Sequence, residues 1–166
     1  MSVTIRNATE KDFKEILEIY EIAREFMKEA GNPTQWKDSW PPIELLNEDI
    51  KLKRLFVCEA DEKIQAVFAM IYGIDPTYIV IDGKWLNDEP YAAIHRVASR
   101  GEIRGISQII FDWCLNEAKN IKIDTHRDNI PMQKAILKKG FKECGIIWIE
   151  NGEERIAFQK CIKQGE

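Results

Sequence analysis

At 166 residues the chain has the length of one domain, and 45% apolar with 31% charged residues is the balance of a globular fold with a sizeable core. A formal charge of −4 argues against nucleic acid or an anionic membrane as the main partner, because both reward net positive charge. No run of about 18 apolar residues occurs, and MSVTIRNATEKD lacks the basic-then-apolar order of a secretory signal, so no membrane partner and a cytoplasmic location are expected.

Val3, Ile5 and Ala8 predict a first strand. Thr9 followed by Asp12 is an N-cap pattern, and Phe13, Ile16, Leu17, Tyr20, Ala23 and Met27 continue at helical spacing. That helix should stop near Gly31-Asn32-Pro33. A loop with Trp36 and Trp40 leads to Pro42, expected as the first residue of a second helix running to about residue 54. Residues 55–60 and 64–72 read as a hairpin around Asp61-Glu62-Lys63. Asp75-Pro76 breaks the run, and residues 78–81 are expected as a short strand ended by Asp82-Gly83.

Residues 85–90 read as a loop and residues 91–99 as the next strand. After the turn Arg100-Gly101-Glu102, the residues Ile106, Ile109, Ile110, Trp113, Cys114 and Ala118 form the stripe of an amphipathic helix. Residues 121–125 read as a strand and 129–139 as a helix closed by Gly140. Residues 141–149 and 154–160 form a hairpin, since Asn151-Gly152 is a strong turn cue. Helices and strands alternate to the end without repeats or linkers, which predicts one mixed α/β domain over residues 1–166.

Cys58, Cys114, Cys144 and Cys161 show no CxxC or zinc spacing, and three of them sit in apolar, periodic surroundings that suit reduced, buried thiols. With only His95 and His126 besides, no metal site is expected.

The most informative stretch is IHRVASRGEIRGISQIIFDW, residues 94–113, which reads as strand, tight turn and helix. Unpaired amides in the first turn of such a helix, with its dipole, suit a phosphate or pyrophosphate. Gly105 lets the backbone approach an anion, and Arg104 adds positive charge. An ordinary strand–helix crossover accepts the same residues. His126-Arg127-Asp128 resembles a kinase catalytic loop, but Gln133 stands where that pattern needs Asn, and no glycine-rich phosphate loop is present.

Taken with IKIDTHRDNIPMQKAILKKGF, this stretch resembles the core motifs of the GNAT N-acetyltransferase superfamily. The phosphate loop of that family reads Arg/Gln-x-x-Gly-x-Gly/Ala, and here stand Arg104, Gly105, Ile106, Ser107, Gln108 and Ile109. Its second block, Asn-x-x-Ala, then Tyr, then Gly-Phe, is matched by Asn129, Met132, Ile136 and Gly140-Phe141. Ser107 and Ile109 replace small loop residues, and Ile136 replaces the tyrosine that in many members protonates the leaving thiolate.

The resemblance implies a mostly antiparallel sheet of about seven strands, with a splayed parallel pair in the middle, flanked by about four helices. It implies acetyl transfer from acetyl-CoA to a primary amine, with a small-molecule acceptor and no metal. The pyrophosphate would rest on the amides of residues 104–109, and the pantetheine arm would pair with the strand at Val97, Ala98 and Ser99. Asn129 and Met132 would complete the cofactor side. His95 and His126 are the candidates for proton transfer, because an amine of pKa near 10 must lose a proton to attack. Trp36, Trp85 and Tyr91, with the carboxylate of Glu89, would suit a cationic acceptor. A non-catalytic acetyl-CoA sensor and a protein or peptide N-acetyltransferase are the alternative expectations. The C-terminal hairpin could supply a homodimer contact.

Overall fold

The structure is a computed structural model that describes residues 2–162. In chain order its elements are β1 (Thr4–Asn7), a 3-10 turn (Glu10–Asp12), α1 (Phe13–Glu29), α2 (Ile43–Lys51), β2 (Leu55–Ala60) and β3 (Lys63–Tyr72). A second 3-10 turn (Pro76–Tyr78), β4 (Asp82–Gly83), β5 (Ala92–Ser99), α3 (Ile106–Ala118), β6 (Asn120–Thr125), α4 (Ile130–Lys138), β7 (Lys142–Trp148) and β8 (Glu154–Cys161) follow. The strands are ordered β1-β2-β3-β5-β6-β8-β7-β4. β5 and β6 run parallel, whereas β1–β2, β2–β3, β6–β8, β7–β8 and β4–β7 are antiparallel. Among the described residues this is the expected mixed sheet with four helices, with eight strands where the resemblance implies about seven.

The chain divides into two compact units, one within Met1–Met70 and His95–Ile106, the other within Ile71–Ile94 and Ser107–Glu166. In the first, the 3-10 turn that leads into α1 is fixed by Asp12, whose carboxylate accepts the Thr9 N–H at 2.8 Å and is gripped by the Arg6 guanidinium at 2.8 and 2.9 Å. Arg6 holds the Asp12 carboxyl below its ordinary range. Ile16, Ile19, Tyr20 and Ala23 form the buried face of α1, as their spacing predicts. α2 is shorter than expected: Pro42 precedes it as the cap, its carbonyl accepting from the N–H groups of Leu45 and Leu46. The β2–β3 turn places both Asp61 and Glu62 at positive φ, the geometry whose twist matches a two-residue hairpin. Burial pushes the Cys58 thiol up to about 12, in keeping with an inert buried cysteine. The four cysteines form no disulfide among the described residues.

In the second unit the expected strand at 78–81 does not form. Asp75 accepts the N–H and the hydroxyl of Thr77 at 2.9 and 2.7 Å, and Pro76 fixes the next φ, so the chain closes into a 3-10 turn instead. Pairing begins only at β4, where Gly83 faces Gly145 of β7. A Cβ on either glycine would lie 2.1 Å from a backbone carbonyl oxygen of the other strand, so this crossing requires glycine on both sides. Tyr78, Ala93, Ile147 and Ala157 pack as a core against Ile81, Trp85, Tyr91 and Ile149. Asn120 donates to the Pro90 carbonyl at 3.0 Å, and Gln159 accepts the Leu86 N–H at 2.8 Å, which ties the 85–90 loop to β6 and β8. Asn129 caps α4, its Oδ1 accepting the Met132 N–H at 3.2 Å, and Gly140 follows the helix at φ +96. Among the described residues no helix is long and apolar enough to cross a membrane.

Candidate functional site

In the first unit the candidates lie on β5 and on the turn that leaves it. His95 and Val97 are half-buried, Ala98 is buried and Ser99 is half-buried. Between His95 and Val97, Arg96 adopts φ +56 inside the strand. A non-glycine residue there carries roughly 1–3 kcal/mol of strain and breaks the regular course of the strand, as at a β-bulge. Two contacts hold it. The Arg96 carbonyl accepts the Tyr20 hydroxyl at 2.7 Å. The Arg96 guanidinium donates to both oxygens of Asp49, at 2.9 and 3.0 Å, and Asp49 also accepts from Arg54 at 2.5 Å. Asp49 is fully buried. Burial raises the Tyr20 phenol above its ordinary value, so it stays a donor.

The turn after β5 is anchored by Arg100, itself buried. Its Nε donates to the Ile64 carbonyl at 2.6 Å, and its Nη1 pairs with Glu18 at 2.9 Å. Arg104 and Gly105 are exposed beyond it, and Ile106 is buried as the first residue of α3. Gly105 sits at φ +76 with no atom within 4 Å of where a Cβ would be, so its backbone is approachable.

In the second unit, Ser107 and Gln108 are half-buried and Ile109 is at the surface, in the first turn of α3, which carries no acidic side chain. Gln108 spends its side-chain amide on the Ala135 carbonyl of α4 at 2.9 Å. Its backbone N–H belongs to the helix start, where such groups lack an intrahelical acceptor. Asn129 is buried as the α4 cap, Met132 is half-buried in the first turn, and Ile136 is fully buried. His126 accepts the Asp128 N–H at Nδ1, at 3.0 Å. An N–H can only donate, so Nδ1 is unprotonated and the ring proton sits on Nε2. Burial, then the Arg155 charge, lowers the His126 pKa. His126 therefore offers a donor at Nε2 rather than a basic nitrogen. Asp124 at the end of β6 accepts the buried Tyr78 hydroxyl at 2.6 Å, a structural role.

The aromatic candidates behave differently from the sequence expectation. Trp36 is a core residue of the first unit, 8% exposed and edge-on to Tyr20 with ring centroids 5.7 Å apart. Trp85 and Tyr91 do hold a cation, but it is one of the chain's own: the Lys122 ammonium lies 4.1 Å and 4.0 Å from their ring centroids. Trp85 is fixed there by donating its indole N–H to the Tyr78 carbonyl at 2.9 Å. Glu89 is exposed on the same loop. Among the described residues no His, Cys, Asp and Glu group could hold a metal ion.

Sequence reasoning missed Asp49, Arg96 and Lys122. Asp49 carried a signal, since it lies three residues after the buried Leu46 on the inward face of α2, where a charge demands a partner.

No protein-family model and no curated protein matches the chain. Solved structures do. A GNAT-family acetyltransferase of Streptococcus agalactiae is 29% identical, with a TM-score of 0.88 over 98% of this chain and 96% of that one. A Staphylococcus aureus protein assigned as an acetyltransferase is 27% identical, with a TM-score of 0.72 over 96% and 99%. This chain has the GNAT fold and resembles GNAT-family acetyltransferases along nearly its whole length. A Salmonella typhimurium structure that holds acetyl-CoA shares the GNAT fold at 13% identity, with a TM-score of 0.65 over 99% of this chain and 96% of that one. Ile136, which stands where the GNAT motif carries tyrosine in many members, is buried in the core and brings no hydroxyl there.

Proposed function

We propose that the chain transfers an acetyl group from acetyl-CoA to a primary amine of a small molecule. The observation that carries this reading is the start of α3. Exposed Arg104, the open left-handed Gly105 and a first helical turn without acidic side chains fit a pyrophosphate, which needs amides, positive charge and room. The likeness to GNAT structures over nearly the whole chain, one of them holding acetyl-CoA, supports the same cosubstrate.

When bound, acetyl-CoA supplies the activated thioester. The amides of residues 104–109 hold its diphosphate, and the backbone of Val97, Ala98 and Ser99 pairs with its pantetheine arm. The Val97 N–H donates to the thioester carbonyl oxygen as negative charge develops there. His95 takes a proton from the acceptor's ammonium and so frees the amine lone pair to attack. The carbon–sulfur bond breaks as the carbon–nitrogen bond forms. The sulfur departs without help from residue 136, which costs little because a thiol pKa near 8.5 makes a fair leaving group. Glu89 draws the cationic acceptor to the 85–91 segment, where Trp85 and Tyr91 flank Lys122.

The test is thiol release from acetyl-CoA with a panel of small amines. His95→Ala should lower turnover by about 100-fold and leave CoA affinity nearly intact. An unchanged rate removes His95 from the mechanism. Arg104→Glu should weaken CoA binding through repulsion, and intact affinity displaces the phosphate assignment. The buried Ile136 favours one second reading, a sensor that binds acetyl-CoA without turnover. Heat stabilisation by CoA with no thiol release on any amine would select it.

A further inference from the structure

We infer that Asp49 is a positioning residue for acyl transfer: by gripping the Arg96 guanidinium it holds residue 96 at φ +56 and aims the Val97 N–H. This rests on the acyltransfer reading above. The geometry is contained in the first unit. In a trans peptide the carbonyl of residue 96 and the N–H of residue 97 point in opposite directions. The Tyr20 hydroxyl fixes that carbonyl at 2.7 Å, so the Val97 N–H points away from Tyr20.

A left-handed arginine does not stay so by its own preference. The bidentate pair to a fully buried carboxylate fixes the side chain, and the tyrosine fixes the carbonyl, so the residue is held at both ends. Arg54 keeps the second lone-pair side of Asp49 occupied and stops the carboxylate from rotating away. A donor aimed in advance is what an oxyanion site needs, and small misplacements of such groups are costly to rate.

The experiment compares Arg96→Ala with Arg96→Gly. Both remove the guanidinium and leave the Asp49–Arg54 pair. Only glycine adopts φ +56 without steric cost. Arg96→Ala should lower kcat by about 10- to 100-fold with the KM for acetyl-CoA nearly unchanged, and Arg96→Gly should recover most of the loss. A second readout is the Val97 amide resonance of labelled protein. On titration with acetyl-CoA it should move in the wild type and in Arg96→Gly, and move much less in Arg96→Ala. Equal kcat for both variants, or a loss confined to KM, overturns the positioning role. A wild type that neither releases thiol nor shifts any amide overturns the acyltransfer reading, and this inference with it; a wild type that turns over beside an unimpaired Arg96→Ala overturns this inference alone.

Discussion

Arg96 in the first unit and Lys122 in the second are both cations carried on strands out of water, and each is met by different chemistry. Arg96 faces a buried carboxylate that it grips with two hydrogen bonds. Lys122, 6% exposed, faces the rings of Trp85 and Tyr91. A carboxylate fixes direction as well as charge, because a guanidinium meets it in one plane. Ring faces attract an ammonium without fixing its hydrogens, and they return less of what burial takes away. The Lys122 pKa accordingly lies below 10.5, with burial as the main cause. The first arrangement suits a backbone that must be aimed. The second suits closing a loop over a sheet.

Breaking the first arrangement should cost most. Asp49→Ala leaves two arginines without their carboxylate and should destabilise the protein by about 3–5 kcal/mol in denaturant unfolding. A loss under about 1 kcal/mol would mean the pair is not buried as described. Lys122→Met keeps the volume and removes the charge, so stability should hold or rise by up to about 1 kcal/mol. A loss of more than about 2 kcal/mol would show that the rings bind the ammonium more strongly than burial opposes it.

The two ends of the pH range sharpen the contrast. Because the folded pKa of Lys122 is lowered, the unfolded chain binds that proton more tightly between the folded value and 10.5. Wild-type stability relative to Lys122→Met should therefore rise with pH in that window, and a flat difference would contradict the lowered value. Asp12 works in the acid range. Its folded pKa is lowered below 3.8 by Arg6, so its contribution is complete above 3.8 and falls away as pH drops through the folded value. Asp12→Ala should cost about 1 kcal/mol at neutral pH through the lost helix start, and the difference from wild type should shrink in acid.

The strand, turn and helix of residues 91–118 were legible because their signals are local: an apolar run, a charged turn with glycine, then a helical stripe. The Thr9–Asp12 cap was legible for the same reason, whereas Asn129, expected as the first helical residue, caps α4 instead. Residues 78–81 look like a strand by composition, yet Asp75 and Pro76 set a turn first, and Ile79 and Val80 end exposed. The Asp49–Arg96 pair joins positions 47 residues apart, which no local pattern encodes. Lys122 sits at an outward position of β6 by strand alternation; only the folded 85–91 segment reveals that rings cover it. Trp85 and Tyr91 were expected to face a cationic acceptor, and the folded chain sets its own Lys122 on their rings.

The most direct measurement is a titration of isotope-labelled protein with CoA, followed amide by amide. Displacements at residues 104–109 that saturate with CoA, and exceed those elsewhere on α3, are the predicted result. Saturable CoA binding that leaves those amides unmoved would contradict the account at its centre.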